Sequence, residues 1–346
     1  MRAAVMHAFG EALSLETVPD PIPPESGVVI EVRANGICRS DWHAWMGHDP
    51  TIALPHVLGH EFAGVVAEVG KEVRGWRAGD RVTVPFSGGC GRCGECLAGF
   101  QHICDHDYQP GFSGWGAFAQ FLAIPNADVN LVRLPSALLF DEAAGLGCRF
   151  MTSFRAVVDQ GRVRGGEWVA VYGCGGVGLA AVIIASALGA NVIGIDIDEA
   201  KLELARSLGA TALINAERVD PVQAVYDLSG GGAHLSIDAL GSAVTCRNSV
   251  RSLRKRGRHV QVGLMLASER DALVPMAEVI AKELEIRGSH GMQAHRYGAM
   301  LAMISSGKLS PRRMIGKTIT LEAAGAELAA MGSFAQRGVT VITRFD

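Results

Sequence analysis

The sequence predicts an α/β protein in which a doubly wound parallel sheet accompanies a second, mainly β domain. Three observations lead there. The chain has 346 residues, more than one ordinary domain needs and enough for two, each with its own core. Roughly the first 150 residues are short alternating apolar segments broken by Gly and Pro, whereas after about residue 155 apolar runs alternate with helix-like stretches. Finally, "VAVYGCGGVGLAAV" sets a glycine-rich turn between an apolar strand and a helix.

The elements follow in chain order. "GVVIEVRANGIC", "EFAGVVAEVG", "DRVTVPF" and "AFAQFLAIP" combine period-two alternation with β-branched residues and read as strands. "WVAVYG" is a strand, "GVGLAAVIIASALGA" a helix, and "NVIGIDI" the next strand. In "DEAKLELARSLGA", Leu202, Ala205 and Leu208 recur at helical spacing. "ALIN", a polar helical segment, "HLSIDAL", the helix-like "SAVTCRNSVRSLRKRG" and "RHVQVGL" continue the alternation, which implies a parallel sheet covered on both faces. "AHRYGAMLAMISSGK" is helical, and "VTVITRF" is a strand able to rejoin the first half. The expected domains are 1–148 with 294–346, mainly β, and 149–293, the doubly wound sheet. No internal repeat or low-complexity segment interrupts them.

Composition excludes several classes. Lys and Arg total 32 against 35 for Asp and Glu, so no strong field points to nucleic acid. The basic run "RSLRKRGR", 251–258, reads as a solvated helix end. Trp168 to Ile195 carries no charged residue and is long enough to span a bilayer, but its clustered glycines and Asn191 fit a buried strand, turn, helix and strand. We expect no membrane and no nucleic-acid partner. The N-terminal residues lack the basic-then-apolar pattern of a signal peptide. Eight cysteines in such a chain point to a reducing, cytoplasmic setting and to metal ligands rather than disulfides.

Cys90, Cys93, Cys96 and Cys104, spaced C-x2-C-x2-C-x7-C in the glycine-rich loop 88–105, supply the soft tetrahedral donors that zinc takes. A bacterial ferredoxin-type cluster would have a shorter last gap and a following Pro. Four thiolates fill the coordination shell, so this site is structural and any chemistry sits elsewhere. "GICRSDWH", "LGHEFAG" and "GLGCRF" offer Cys38, His60 and Cys148. A catalytic zinc uses three protein ligands and keeps one place open, but spacing alone does not assemble residues so far apart, and Cys148 by itself reads more readily as a small core residue. In the G-x-G-x-x-G turn, Gly173, Gly175 and Gly178, with Gly176 and Val177 among them, permit close approach of a pyrophosphate to a helix N-terminus. Asp196, at the end of the next strand, favours the ribose diol of NAD and repels the 2′-phosphate of NADP.

These motifs occur in the order found in zinc-dependent alcohol dehydrogenases of the medium-chain dehydrogenase superfamily, which the chain resembles over essentially its whole length. The resemblance implies a Rossmann NAD-binding domain and a GroES-like catalytic domain with the active site in the cleft between them. It implies two zinc ions per chain and reversible oxidation of an alcohol to an aldehyde or ketone, with hydride passing to NAD. Cys38, His60 and Cys148 would hold the catalytic zinc, with Glu61 behind it and able to approach during ligand exchange. Asp41 would orient His60. Ser40 would hydrogen-bond the alcohol, and His43 would end the proton relay. Lys201 would reach the adenosine ribose, Arg39 the pyrophosphate and Thr152 the nicotinamide side, with Val262 and Leu264 flanking the nicotinamide. Many relatives carry a pyrophosphate-binding Arg in the last strand; here Arg337 and Arg344 offer no convincing match.

Phe86 and Trp115, with Trp42, Trp45 and Met46 near the metal-ligand loop, point to an apolar, aromatic pocket. Polyol and threonine dehydrogenases of the superfamily generally place a Glu where this chain has Cys148. We therefore expect primary or secondary alcohols, with a polyol-type or specialised metabolic dehydrogenase as the alternative. A zinc-free quinone or enoyl reductase would lack both cysteine sets, and a non-catalytic NAD-binding protein would not need Ser40 and His43. Relatives of this length are commonly bacterial homotetramers, and a tetramer is favoured over a dimer.

Overall fold

A computed structural model of the chain describes residues 1–265, 269–333 and 336–346. The chain forms two compact units. One comprises Met1–Met151, Gly291–Gly307 and Met314–Asp346; the other comprises Thr152–His290 and Lys308–Arg313.

The second unit is built on a parallel sheet of six strands: β1 (Trp168–Tyr172), β2 (Asn191–Asp196), β3 (Ala212–Asn215), β4 (Ala233–Asp238), β5 (Leu253–Gln261) and β6 (Glu285–Gly288). Their spatial order, β3-β2-β1-β4-β5-β6, is that of a Rossmann sheet, reversing direction beside β1. Helices Gly176–Ala187, Glu199–Leu208, Pro221–Ser229 and Ala243–Arg251 connect the strands. Strands covered on both faces read as unbroken apolar runs, and Val169–Tyr172 and Val192–Ile195 are buried throughout. The charge-free stretch therefore resolves into β1, the buried helix Gly176–Ala187 and β2. Among the described residues no helix is long and apolar enough to cross a membrane. Leu202, Ala205 and Leu208 form the buried stripe of Glu199–Leu208, which starts where Asp198 accepts the Ala200 and Lys201 backbone N–H groups.

The basic run departs from expectation. The helix ends at Arg251, and Arg254, Lys255, Arg256 and Arg258 lie on β5, not on a helix end. Leu253 is fully buried and pairs with Ala233, so the sheet captures the chain two residues after the helix stops. Arg256 takes φ +60° beside a shift in the strand register, and Arg258 pairs with Glu167 at 2.6 Å. Burial of an apolar anchor overrides the helical propensity of the Lys and Arg that come after it.

The first unit centres on the strand Val28–Ile37 in a seven-stranded sheet. This strand pairs antiparallel with Glu61–Val69, with Phe121–Ile124 at one end and with Val339–Arg344 at the other. Arg81–Thr83, Val132–Arg133 and Ile315–Thr320 extend the sheet, and Ser14–Thr17, Arg2–Met6 and His56–Val57 form a separate three-stranded one. The register sets Gly36 between Glu61 on one neighbouring strand and Val341 on the other, and it sets Ile37 opposite Thr340.

Candidate metal and cofactor sites

Two groups of side chains among the described residues bring metal-ligand atoms within 4.8 Å of one another: Cys90, Cys93, Cys96 and Cys104; and Cys38, His60, Glu61 and Cys148. All eight cysteines are free thiols.

The first group is made by one loop. Cys93 caps the short helix Gly94–Leu97, its sulfur accepting the Cys96 N–H at 3.5 Å. Cys104 Sγ accepts the backbone N–H groups of Cys90 and His106 at 3.3 and 3.2 Å. Backbone donors favour a thiolate, and that of Arg92, foremost, holds the Cys90 thiol down to about 6, whereas burial pushes the Cys96 and Cys104 thiols up. Cys93 and Cys104 sulfurs lie 3.6 Å apart. That is too far for a disulfide and close to the roughly 3.8 Å edge of a tetrahedron with metal–sulfur bonds of about 2.3 Å. The donor set fits a structural zinc.

The second group is assembled from three segments. Cys38 ends the Val28–Ile37 strand and begins the helix Arg39–Trp45; Cys148 follows the turn Gly145–Gly147. Asp41, fully buried, ties the pieces together. Its Oδ2 accepts the Cys38 N–H at 2.8 Å, while Oδ1 accepts the Gly59 N–H at 3.2 Å and meets His60 Nδ1 at 2.8 Å. An ionised carboxylate only accepts, so His60 Nδ1 carries a proton and Nε2 presents its lone pair. That Nε2 is buried with no hydrogen-bond partner among the described residues. A bare buried imidazole nitrogen beside two sulfurs is what a zinc ligand requires, and the site fits a catalytic zinc. Burial opposes charge on His60, but Asp41 and Cys38 together carry its pKa well above the ordinary value, so a zinc ion taking Nε2 would displace a proton from it. Cys38 and Cys148 share a hydrogen bond, which lowers the first thiol and raises the second.

Glu61 is fully buried, and burial raises its pKa against the pull of Arg149. Arg149 Nε donates to Oε1 at 2.8 Å, the Arg149 backbone N–H to the same oxygen at 3.2 Å, and Nη2 to Oε2. Nη2 also donates to the Ile37 carbonyl at 2.8 Å. The sequence reading missed Arg149. Its signal was a charge directly after Cys148 in the run "AAGLGCRFM", since a buried Arg needs a partner.

Around the second group, Ser40 Oγ lies 3.9 Å from Cys38 Sγ. His43 Nδ1 lies 2.9 Å from Nδ1 of the exposed His48, a neighbour not singled out from sequence. Burial first, then His48 and Arg39, hold His43 down to about 4. Rings of Phe86 and Phe112 stand edge-on to His60 at 6.4 and 5.3 Å between centroids; Phe112 was also missed. Trp42 packs on the apolar core and edge-on to His43, with the Arg39 guanidinium 4.9 Å above its ring. Trp45 is buried and donates to the Glu11 carbonyl at 2.6 Å, while Met46 and Trp115 are exposed.

In the other unit, Gly173 takes φ +92° at the end of β1, and Gly175 precedes the helix with open space where a side chain would stand. Gly178 packs so closely on the Gly173 carbonyl that an added Cβ would collide with it. Gly176 and Val177 open the helix, and the Val177 carbonyl accepts from Ser153 Oγ at 2.7 Å. Asp196 Oδ2 accepts the Cys174 N–H at 2.7 Å, and Oδ1 accepts those of Ile197 and Asp198 at 2.8 and 3.1 Å. The carboxylate is thereby fixed against the glycine turn. Lys201 occupies the first turn of its helix, and Thr152 is buried. Val262 follows β5 with its N–H on the Asp238 carbonyl, and Leu264 is exposed. Buried Asp238 accepts from Thr245 and Gln261, a network unseen in the sequence that braces this end of the sheet. Of the expected cofactor residues, Arg39 alone belongs to the first unit.

Comparison with known proteins accords with this chemistry. Residues 24–136 match the family model described as alcohol dehydrogenase GroES-like domain, and residues 176–306 match that of zinc-binding dehydrogenase. The chain is 34% identical over 353 positions to an NAD-dependent alcohol dehydrogenase of Sulfurisphaera tokodaii, covering 99% of each. It is 34% identical over 325 positions to an L-threonine 3-dehydrogenase of Burkholderia mallei, covering 90% of each. Among solved structures, alcohol dehydrogenase TADH from Thermus sp. ATN1 is similar at a TM-score of 0.90 and 33% identity, over 99% of this chain and 100% of that one.

Proposed function

The chain belongs to the zinc-dependent alcohol dehydrogenases of the medium-chain superfamily, and from that premise we propose that its substrates are primary or secondary alcohols with apolar or aromatic groups. NAD-linked oxidation of an alcohol, dependent on zinc, is the reaction of this chain. When bound, zinc supplies a Lewis acid and NAD a two-electron acceptor.

The chain's own residues do the rest. Cys38, His60 and Cys148 hold the metal, and Asp41 keeps the His60 lone pair turned toward it. Ser40, close to Cys38, hydrogen-bonds the substrate hydroxyl and takes its proton. His43, neutral because burial holds it near 4, receives that proton and passes it toward His48 and water. Gly173, Gly175, Gly176, Val177 and Gly178 receive the pyrophosphate, and Asp196 and Lys201 the adenosine ribose. Arg39, Thr152, Val262 and Leu264 complete the cofactor contacts. Cys90, Cys93, Cys96 and Cys104 hold the structural zinc.

One observation carries the substrate reading: the His60 ring, whose Nε2 is unpartnered, has the rings of Phe86 and Phe112 edge-on to it. Apolar walls beside the metal exclude polyols and charged amino alcohols through unsatisfied polar groups. The likeness to an L-threonine 3-dehydrogenase favours a second reading, a small polar alcohol. NADH formation over matched aliphatic, benzylic and polyol substrates plus L-threonine, each with NAD and NADP, separates the two. Turnover of benzylic and aliphatic alcohols with NAD is expected; turnover of polyols or L-threonine alone would refute the apolar pocket. A cytoplasmic homotetramer belongs to the same proposal, supported by the free thiols and by resemblance in length, and light scattering tests the assembly.

A further inference from the structure

Glu61 is the odd member of the second metal group. Its carboxylate lies within 4.8 Å of the donor atoms of Cys38, His60 and Cys148, so the protein itself offers four ligands. Zinc in a four-ligand protein shell is closed, as in the cysteine loop, and a closed shell leaves no place for an alcohol. Something must keep the fourth donor away, and the hydrogen bonds identify it. Both Glu61 oxygens are taken by Arg149: Oε1 by Nε at 2.8 Å and by the backbone N–H at 3.2 Å, and Oε2 by Nη2. The guanidinium is itself pinned, because Nη2 also donates to the Ile37 carbonyl at 2.8 Å, one residue before Cys38. Gly36 lies opposite Glu61 in the sheet, and a Cβ there would stand 2.5 Å from Oε2. The pair thus occupies a recess that the absent side chain leaves. Arg149 is 6% exposed and Glu61 fully buried, so neither charge has water as an alternative partner.

We propose that Arg149 is a positioning residue that withholds Glu61 from the catalytic metal and so keeps the fourth place free for substrate. This rests on Cys38, His60 and Cys148 being the catalytic ligands. Both forks of the guanidinium matter, since a bidentate grip fixes the carboxylate plane as well as its charge. Freed of that grip in a dry site, the carboxylate has one remaining cationic partner, the metal.

The test replaces catalytic zinc with cobalt(II) in the intact chain and compares the parent with R149M, R149K and E61Q/R149M. Three quantities are read: the visible cobalt spectrum, the rate of zinc loss to a chelator, and turnover with a simple alcohol. A parent that takes up no metal at the second site would defeat the ligand assignment itself. Given uptake, R149M is expected to show a cobalt spectrum altered by an added oxygen ligand, slower zinc loss, and turnover lower by about 100-fold. E61Q/R149M should regain the parent spectrum and the parent rate of zinc loss, because a neutral amide is a poor ligand. R149K keeps the charge but not the fork and should fall between, so it carries the test if R149M fails to fold. An unchanged cobalt spectrum in R149M and R149K, or faster zinc loss together with lower turnover, would make the pair a structural brace and overturn the proposal.

Discussion

The two cysteine groups hold similar donors and differ in almost everything else. Cys90, Cys93, Cys96 and Cys104 come from one loop, the first and last fourteen positions apart, and hold one another through sulfur and backbone N–H groups. Cys38, His60 and Cys148 come from separate segments; Asp41 ties Cys38 to His60, and Arg149 bonds the Ile37 carbonyl beside Cys38. The first group is self-sufficient and closed; the second is assembled by the fold and open. A local loop suffices for a staple, whereas a reactive metal needs surroundings that govern what else may touch it.

Removing one ligand from each group should therefore give opposite phenotypes. The largest effect is expected from C148S: zinc falls from two ions to one, and kcat/KM drops by about 1000-fold or more, with little change in Tm. Equal loss of activity and Tm would break the contrast. Next, D41A removes the shared anchor of Cys38, Gly59 and His60; affinity at the second site should weaken by about 10- to 100-fold while the loop keeps its ion, as metal titration would record. C93S should do the reverse. Here Tm falls by roughly 5–10 °C and amide exchange in 88–105 quickens, while activity per folded chain holds. Inactivity of folded C93S would show that the loop does more than staple.

The smallest effect concerns His43. Its pKa is about 4 in the folded chain against 6.5 ordinarily, so between those values the unfolded chain binds the extra proton. The stability owed to the neutral ring is complete above pH 6.5 and is lost as pH falls toward 4. H43Q should flatten that part of the acid unfolding curve and slow turnover chiefly at lower pH, with partial rescue by an external base. An unchanged pH–rate profile would remove His43 from the relay.

The same contrast explains what could be read from the sequence. The cysteine loop and the glycine turn are legible because their geometry is local: spacing alone brings the four sulfurs together, and Gly178 packs on Gly173 five residues away. Alternating strands and helices likewise disclose the Rossmann sheet. Arg149 and Glu61 are 88 residues apart, and no periodicity joins them; only the sheet register that sets Gly36 opposite Glu61 makes their recess. Phe112 and His48 were passed over for the same reason, since each matters through a partner that the fold supplies. The basic run failed differently. Its local propensity was helical, and burial of Leu253 in the sheet decided against it.

The strand Val28–Ile37 has a consequence for how the chain is made. Its edge at Asn35–Ile37 is closed by Thr340–Ile342, a strand synthesised long after it. At about 5–20 residues per second, Val28–Ile37 waits many seconds for that partner while Thr152–His290 has already been synthesised and can fold. Until then the backbone just ahead of Cys38 presents unpaired N–H and C=O groups, a template for the wrong neighbour. A nascent chain stalled before Val339 should consequently aggregate, and metal delivered early in synthesis should find the cysteine loop ready and the second site unfinished.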